Sequence, residues 1–572
     1  MRQNKAILRT PAGWLEFLHP AVVISTHRTD EVRDCLEQVT RAAGRGYYAV
    51  GFLSYEAGPA FDPAMETHPP GRFPLLWFGI YETAGEIAPP PPGPEIAVDW
   101  QVRQSRERYR TAIEKIHAEI AAGNTYQVNY TIRQQAFFSS DPETFFWQKA
   151  ASAPYGAFVD TGAFQIISAS PELFFQKDGP RLTTRPMKGT ARRGRWLTED
   201  KKLREQLAQS EKNRAENAMI ADMLRNDLGR IARPGSVAVA DPFRIEKYPT
   251  VWQMTTTVSA ESEAGLPEIF GALFPCGSIT GAPKISTMRI IRCLEDSPRD
   301  IYTGAIGLIE PDGRARFSVA IRTALVDAER ETIDYGIGGG IVWDSRAEEE
   351  WEECRIKSLG IRRSPPPADF RLLETLRWDR KSHYFLLDKH LRRLRDSALY
   401  FDFTFSQAEI LCALREIEGG FPGDLRRVRL LLSRDGGIET EDFELSEDDS
   451  PLRVALAGSP VSSEDPFLYH KTTFRQLYDK HLAAFPDADE VLLYNERGEL
   501  SEACRYNLAL KLGGQWFTPP REAGLLGGTY RELLLENGQI REKTLMVEDL
   551  ARAGGIALFN SVRGWRLASY FL

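Results

Sequence analysis

Apolar residues in this chain follow two periods. "SRERYRTAIEKIHAEIAAGN" (105–124) spaces them three and four apart and stops at a glycine, which predicts an amphipathic helix. "EKNRAENAMIADMLRNDLGRIA" (211–232) has the same stripe on a background of good helix formers, and "SRAEEEWEECRIKSLG" (345–360) predicts a charged helix. Between them run shorter apolar blocks. "FQIISASPELFFQK" (164–177) reads as strand, break, strand, while "ARFSVAIRTALVD" (315–327) and "ETIDYGIGGGIVWD" (331–344) read as β-rich segments that pair as a hairpin. In "RLTTRPMKGTARRG" (181–194), Lys188 stands between a proline-methionine and a glycine-threonine pair, where the chain is expected to turn sharply.

Two proline-rich stretches interrupt these patterns. "IAPPPPGPEIAV" (87–98) reads as a surface loop, and "GIRRSPPPADF" (360–370) as the boundary between domains. This gives a large domain at 1–362, a linker at 363–369 and a second domain at 370–572. A chain of 572 residues is too long for one hydrophobic core, which agrees with that division. Apolar residues at 42% and charged residues at 27% describe an ordinary globular protein. A formal charge of −8 without a long basic run argues against nucleic-acid binding. The six cysteines form no CxxC pair and fit a reduced, cytoplasmic setting. No apolar run approaches the ~18 residues of a membrane span, and the N-terminus lacks the apolar core of a signal peptide.

Within the first domain, candidate chemistry falls at breaks and helix faces. Glu172 follows a serine-proline break, Glu216 lies within the second long helix, and Glu353 and Lys357 share a face of the third at i, i+4. Taken singly, each suits a solvated helix as well as a site. Arg322, in an otherwise apolar strand, needs a partner, and a carboxylate is its natural bidentate one. "GSITGAPK" (277–284) and "GIGGG" (336–340) bring backbone close to something.

In order, "GNTYQVN", "SPELFF", "RPMKGT", "EKNRAENAMIADMLRNDLGR", "GSITGAPK", "YTGAIG", "FSVAIRT", "GIGGGIVWDS" and "EEEWEECRIK" resemble the chorismate-utilising enzymes. The resemblance implies an α/β (α+β) fold, a large chorismate-binding β-sandwich with surrounding helices. It also implies that Lys188 is the discriminating residue. Anthranilate synthases carry alanine there and aminodeoxychorismate synthases carry lysine, whose amine can attack the chorismate ring as the 4-hydroxyl leaves. By the same resemblance Glu172 is the general acid, and Glu216 and Glu353 hold one Mg²⁺. Tyr302, Arg322, Lys357, Thr280 and the Gly338 and Gly340 amides bind the substrate. Gln127 stands where water-activating relatives place a lysine, which favours ammonia over water. Gln253 replaces a histidine common in the family, and "GFLSYEAG" (51–58) matches a tryptophan-binding segment of some relatives. No glutaminase nucleophile is present, so a separate glutamine amidotransferase subunit is expected to supply ammonia.

From 370 onward, "FRLLETLRWDRKSHYFLLDKHLRRLRDSALYFDF", "LYHKTTFRQLYDK", "ADEVLLYNERGELSEACRYNLAL", "WFTPPREAGLLGGTYRELLL" and "ALFNSVRGWRLA" offer an amine, an acid, an arginine and a glycine turn. These suit an anionic aldehyde cofactor. The segments resemble the fold-type IV pyridoxal-phosphate enzymes, although the usual first strand and turn before "ETLR" are absent. The resemblance implies that Lys471 carries pyridoxal 5'-phosphate and moves the proton, and that Glu502 faces the pyridine nitrogen. Arg393, Gly528 and Thr529 bind the phosphate, with Asn507 beside the cofactor; such domains usually pair as homodimers. Together the two resemblances imply 4-aminobenzoate synthesis. Chorismate and ammonia give 4-amino-4-deoxychorismate, and a lyase step then releases pyruvate. The competing readings are an anthranilate-type synthase fused to an amino-acid aminotransferase, and a synthase with a catalytically silent C-terminal interaction domain.

Overall fold

The computed structural model describes residues 4–91, 93–362, 370–446 and 450–570. Its contacts separate into two compact units. One holds the described residues through 362 except 193–203; the other holds 193–203 with those from 370 onward. The linker expected at 363–369 lies outside the described residues. No helix among the described residues is long and apolar enough to cross a membrane.

In the first unit, two ten-stranded antiparallel sheets face each other. The strand Lys5–Thr10 explains the arrangement: Ala6 and Leu8 point between the sheets, while Ile7 points to the helix-covered outer face. Tyr155–Asp160 and Phe164–Ser170 divide their side chains in the same way, so these strands read as continuous apolar blocks rather than alternating ones. Helix Arg106–Ala121 buries Tyr109, Ala112, Ile113 and Ile116, and its Ser105 hydroxyl accepts from the Arg108 amide as an N-cap. Helix Glu211–Gly229 buries Ile220, Ala221, Leu224 and Leu228 against the other sheet and is capped by Ser210.

Two of the places where the chain passes from one sheet to the other lie side by side. Phe164–Ser170 belongs to one sheet and Leu173–Asp178 to the other, with Pro171 and Glu172 between them. Ala315–Val319 and Thr323–Asp327 are divided in the same manner. Hydrogen bonds from Ala169 N to Arg322 O and from Val319 N to Glu172 O join the crossings. The expected hairpin is therefore narrower than its sequence suggests. Only Thr323–Asp327 pairs with Thr332–Ile341. Arg322 is not within a strand; it sits at the crossing in the left-handed region, φ 51°.

The second unit has a four-stranded antiparallel sheet centred on Leu372–Asp379 and Leu425–Leu432, covered by helices Leu387–Phe401 and Gln407–Glu418. The "ETLR" segment lies inside Leu372–Asp379, which pairs with His383–Tyr384 and Leu425–Leu432. An eight-stranded mixed sheet forms the rest, and Leu373 N donates to Lys471 O.

Candidate functional sites

The crossing of the two sheets explains the first site, because side chains there need not face either core. Glu172 is buried and accepts from Ser278 Oγ at 2.7 Å and from Met187 N at 3.5 Å. Burial pushes its carboxyl up to about 7 against the opposing pull of Ser278, Met187 and the Lys188 charge. Lys188 does not stand at a sharp turn. It lies in the strand Met187–Arg192, at a bulge where Met187 pairs with Thr255 and Thr190 already pairs with Gln253. Gly189, at φ 95°, supplies the bulge and re-aims the lysine. Its amine reaches Glu216 Oε2 at 3.5 Å. A Cβ at Gly340 would lie 2.4 Å from that amine and 2.9 Å from Gln127 Nε2, so this glycine keeps space for both groups. Asn217 Nδ2 holds the lysine's own carbonyl at 3.1 Å.

The strand Gln127–Phe137 adds a polar row. Both polar atoms of Gln127, Asn129 Nδ2 and Thr131 Oγ1 are buried without a partner among the described residues. An orphaned buried polar group costs about 1–3 kcal/mol, so three neighbouring ones point to a ligand or ordered water. Asn129 and Thr131 were legible as polar residues alternating with Val128, Tyr130 and Ile132. Gly338 and Gly340 pair in register with Thr131 and Asn129, and Lys357 Nζ donates to Gly338 O at 2.9 Å.

Lys357 also pairs with Glu353 at 2.8 Å, which holds the Glu353 carboxyl below its usual range. One turn earlier, Glu350 accepts from Ser345 Oγ at 2.6 Å, and burial raises its pKa. It faces Gly339, where a Cβ would approach Glu350 Oε2 to 2.9 Å, and sequence reasoning missed it. The Arg322 guanidinium makes no hydrogen bond or ion pair among the described residues, and burial lowers its pKa. Tyr302 is buried with its ring against Gly336. The Thr280 hydroxyl is already engaged, donating to Cys276 O at 2.7 Å. Thr190 Oγ1 donates to Gln253 Oε1 at 2.8 Å, fixing the residue that replaces the family histidine. Among the described residues no group of three or more His, Cys, Asp or Glu side chains is arranged to hold a metal ion. Glu216 and Glu353 offer two hard oxygen donors near Lys188.

The second site is also centred on a lysine. The Lys471 amine has no hydrogen bond or ion pair among the described residues, and burial, aided by the Arg393 charge, lowers its pKa to about 8. Glu502 is buried, accepting from Tyr478 OH at 2.9 Å and Leu526 N at 3.1 Å, and burial raises it to about 7. Asn507 Nδ2 lies 3.4 Å from Glu502 and donates to Leu526 O at 2.9 Å. A Cβ at Gly528 would lie 1.9 Å from Asn507 Oδ1, so any larger residue there would displace the Asn507 amide. Thr529 opens the helix Thr529–Glu536. Two residues missed in the sequence complete the arrangement. Glu374 binds Arg393 through Nε at 2.8 Å and Nη2 at 2.6 Å, and also binds His390 Nδ1 at 2.6 Å. These partners pull Glu374 down to about 2 against its burial. His390 Nε2 in turn meets Thr529 Oγ1 at 3.2 Å. A desolvated amine, a glycine turn with helix amides and the Arg393 cation suit an anionic aldehyde cofactor.

Two family models match the chain: chorismate binding enzyme over residues 3–362 and amino-transferase class IV over residues 371–569. Aminodeoxychorismate synthase component 1 of Bacillus subtilis (strain 168) is 38% identical over 275 residues, covering 47% of this chain and 58% of that protein. Anthranilate synthase component 1 of Aquifex aeolicus (strain VF5) is 37% identical over 267 residues, covering 46% and 54%. The chain thus spans about half the length of these curated relatives. The crystal structure of anthranilate synthase component I from Streptococcus pneumoniae TIGR4 aligns with a TM-score of 0.52 at 24% identity, over 64% of this chain and 91% of that one, which shows a shared fold.

Proposed function

The chain belongs to the chorismate binding enzyme family through residue 362, and from that premise we propose that it makes 4-aminobenzoate in two steps. The observation that carries the first step is the Lys188 amine, set beside Glu216 and kept clear by Gly340. Lys188 attacks the chorismate ring as the 4-hydroxyl departs. Glu172, whose proton is retained to about pH 7, gives that proton to the leaving oxygen so that water is lost. Ammonia then displaces the lysine and leaves 4-amino-4-deoxychorismate. Gln127 cannot serve as a base for water, and Arg322 and Lys357 bind the substrate's carboxylates. Mg²⁺, which accepts few protein ligands and keeps several waters, would be held by Glu216 and Glu353 and would neutralise a substrate carboxylate. A glutamine amidotransferase subunit supplies the ammonia.

The second step acts on the carbon that bears the new 4-amino group. Pyridoxal phosphate, when bound, supplies an electron sink for the charge left when a proton leaves carbon. Lys471 would carry the cofactor and take the C4 proton, a duty that its lowered pKa of about 8 suits. Glu502 would balance charge at the ring nitrogen, while Thr529, Gly528 and Arg393 would hold the phosphate. Loss of the enolpyruvyl group as pyruvate leaves an aromatic product.

Incubating the chain with chorismate, Mg²⁺, pyridoxal phosphate and ammonium chloride, then identifying products by chromatography and mass, tests the proposal. The expected products are 4-aminobenzoate and pyruvate. Anthranilate would overturn the first step, and aminodeoxychorismate without pyruvate release would overturn the second.

A further inference from the structure

Arg521 has no role in the chemistry above, yet it borders the glycine turn of the second site. An alanine-sized side chain at Gly527 would lie 3.6 Å from both Arg521 Cζ and Nε. Arg393 reaches the same turn from its own side, with Nη1 3.3 Å from Gly527 O. The two arginines differ in their counter-charges. Arg393 is neutralised by the bidentate Glu374 carboxylate. Arg521 has no carboxylate within ion-pair distance among the described residues. Its Nε is buried without a partner, Nη2 has only a long 3.5 Å contact to Tyr469 O, and its guanidinium lies 4.7 Å over the Trp196 ring. Burial, reinforced by the Arg531 and Arg393 charges, pulls its pKa down to about 10. A desolvated guanidinium with donors to spare suits a planar anion.

We propose that Arg521 is a substrate-binding residue of the second site, clamping a carboxylate of the aminodeoxychorismate-type substrate. The identity of that carboxylate rests on the lyase reading. The cofactor phosphate is the other anion that could meet this guanidinium. Phosphate already has the Gly527–Gly528 turn, Thr529 and Arg393, whereas a substrate with carboxylates needs a further cation. The Trp196 ring, 4.7 Å from the guanidinium carbon, packs on it without consuming its hydrogen-bond donors.

The test uses the full chain with Arg521→Gln and, should that variant fold poorly, Arg521→Lys. Pyridoxal phosphate affinity, from visible absorbance, is expected to stay within about threefold of the parent protein. The KM for aminodeoxychorismate, followed by pyruvate release, is expected to rise roughly ten- to hundredfold, as loss of a charge-assisted hydrogen bond would give. Binding of 4-aminobenzoate, read as a perturbation of the cofactor spectrum, should weaken in parallel, while binding of aniline, which lacks the carboxylate, should not change. Weaker cofactor binding with an unchanged KM would overturn the proposal and make Arg521 a phosphate ligand. Unchanged cofactor, substrate and product binding would leave it a structural cation. A parent protein that releases no pyruvate would refute the lyase reading itself. The 4-aminobenzoate and aniline titrations would then still decide whether Arg521 recognises carboxylates.

Discussion

Lys188 and Lys471 are the two amines proposed to make covalent bonds, and they differ in their counter-charges. Lys188 is partly exposed and ion-paired, 3.5 Å from Glu216, on a strand re-aimed by a bulge. Lys471 has no ion pair among the described residues, and desolvation lowers its pKa to about 8. One site places its amine through a local backbone irregularity and steadies it with a carboxylate; the other lowers the proton affinity of its amine by withholding one. A lysine can therefore be prepared for attack by position or by desolvation. The glutamates beside them are alike: Glu172 and Glu502 are both raised to about 7 by burial, and each accepts from a hydroxyl (Ser278 or Tyr478) and a backbone amide (Met187 or Leu526).

Substitutions should separate the two amines. Lys471→Ala is expected to abolish the bound-cofactor absorbance and lower pyruvate release by roughly 10³-fold or more, as loss of a covalent group does. Ammonia-dependent chorismate consumption should continue, and simultaneous loss of both reactions would break the separation. Lys188→Ala should have the reverse effect. Formation of aminodeoxychorismate falls by about 10²- to 10⁴-fold, while supplied aminodeoxychorismate is still converted. Glu172→Gln should cost the first reaction about 10²- to 10⁴-fold. In the parent protein that reaction should slow as pH rises through about 7, because the acid form is lost. The stability sign follows from the same shift. A carboxyl whose folded pKa lies above its unfolded one contributes no penalty below the ordinary carboxylate range and destabilises the fold as pH rises towards about 7. A chorismate reaction unaffected by pH across that window would remove Glu172 from the acid's role. The smallest effect is expected from Gly340→Ala, whose Cβ would intrude on Lys188 Nζ at 2.4 Å. Displacing the amine by about 1 Å should cost roughly 10²-fold at the first site and nothing at the second.

Much of this was legible along the chain because it depends on local pattern. The helices at 106–121 and 211–229 follow their apolar stripes, and the strand-break-strand at 164–178 follows its proline. Lys188 was visible in its motif, but the bulge was not, because the extra residue exists only relative to the partner strand Val251–Glu261. Arg322 was misplaced for a related reason. An apolar run that crosses between two sheets has the same composition as one continuous strand. Glu350, Glu374, His390 and Arg521 carry no local signal. Glu374 meets His390 and Arg393 only because a strand packs on a helix. Arg521 is notable only for the carboxylate it lacks, which no sequence pattern can register.

The central claim is that two lysines at separate sites act in sequence on one substrate. Mixing the Lys188→Ala and Lys471→Ala chains with chorismate, ammonium, Mg²⁺ and pyridoxal phosphate tests it most directly. Each variant alone should yield no 4-aminobenzoate, and the mixture should yield it, as aminodeoxychorismate passes from one chain to the other. Undiminished 4-aminobenzoate from either variant alone would contradict the account.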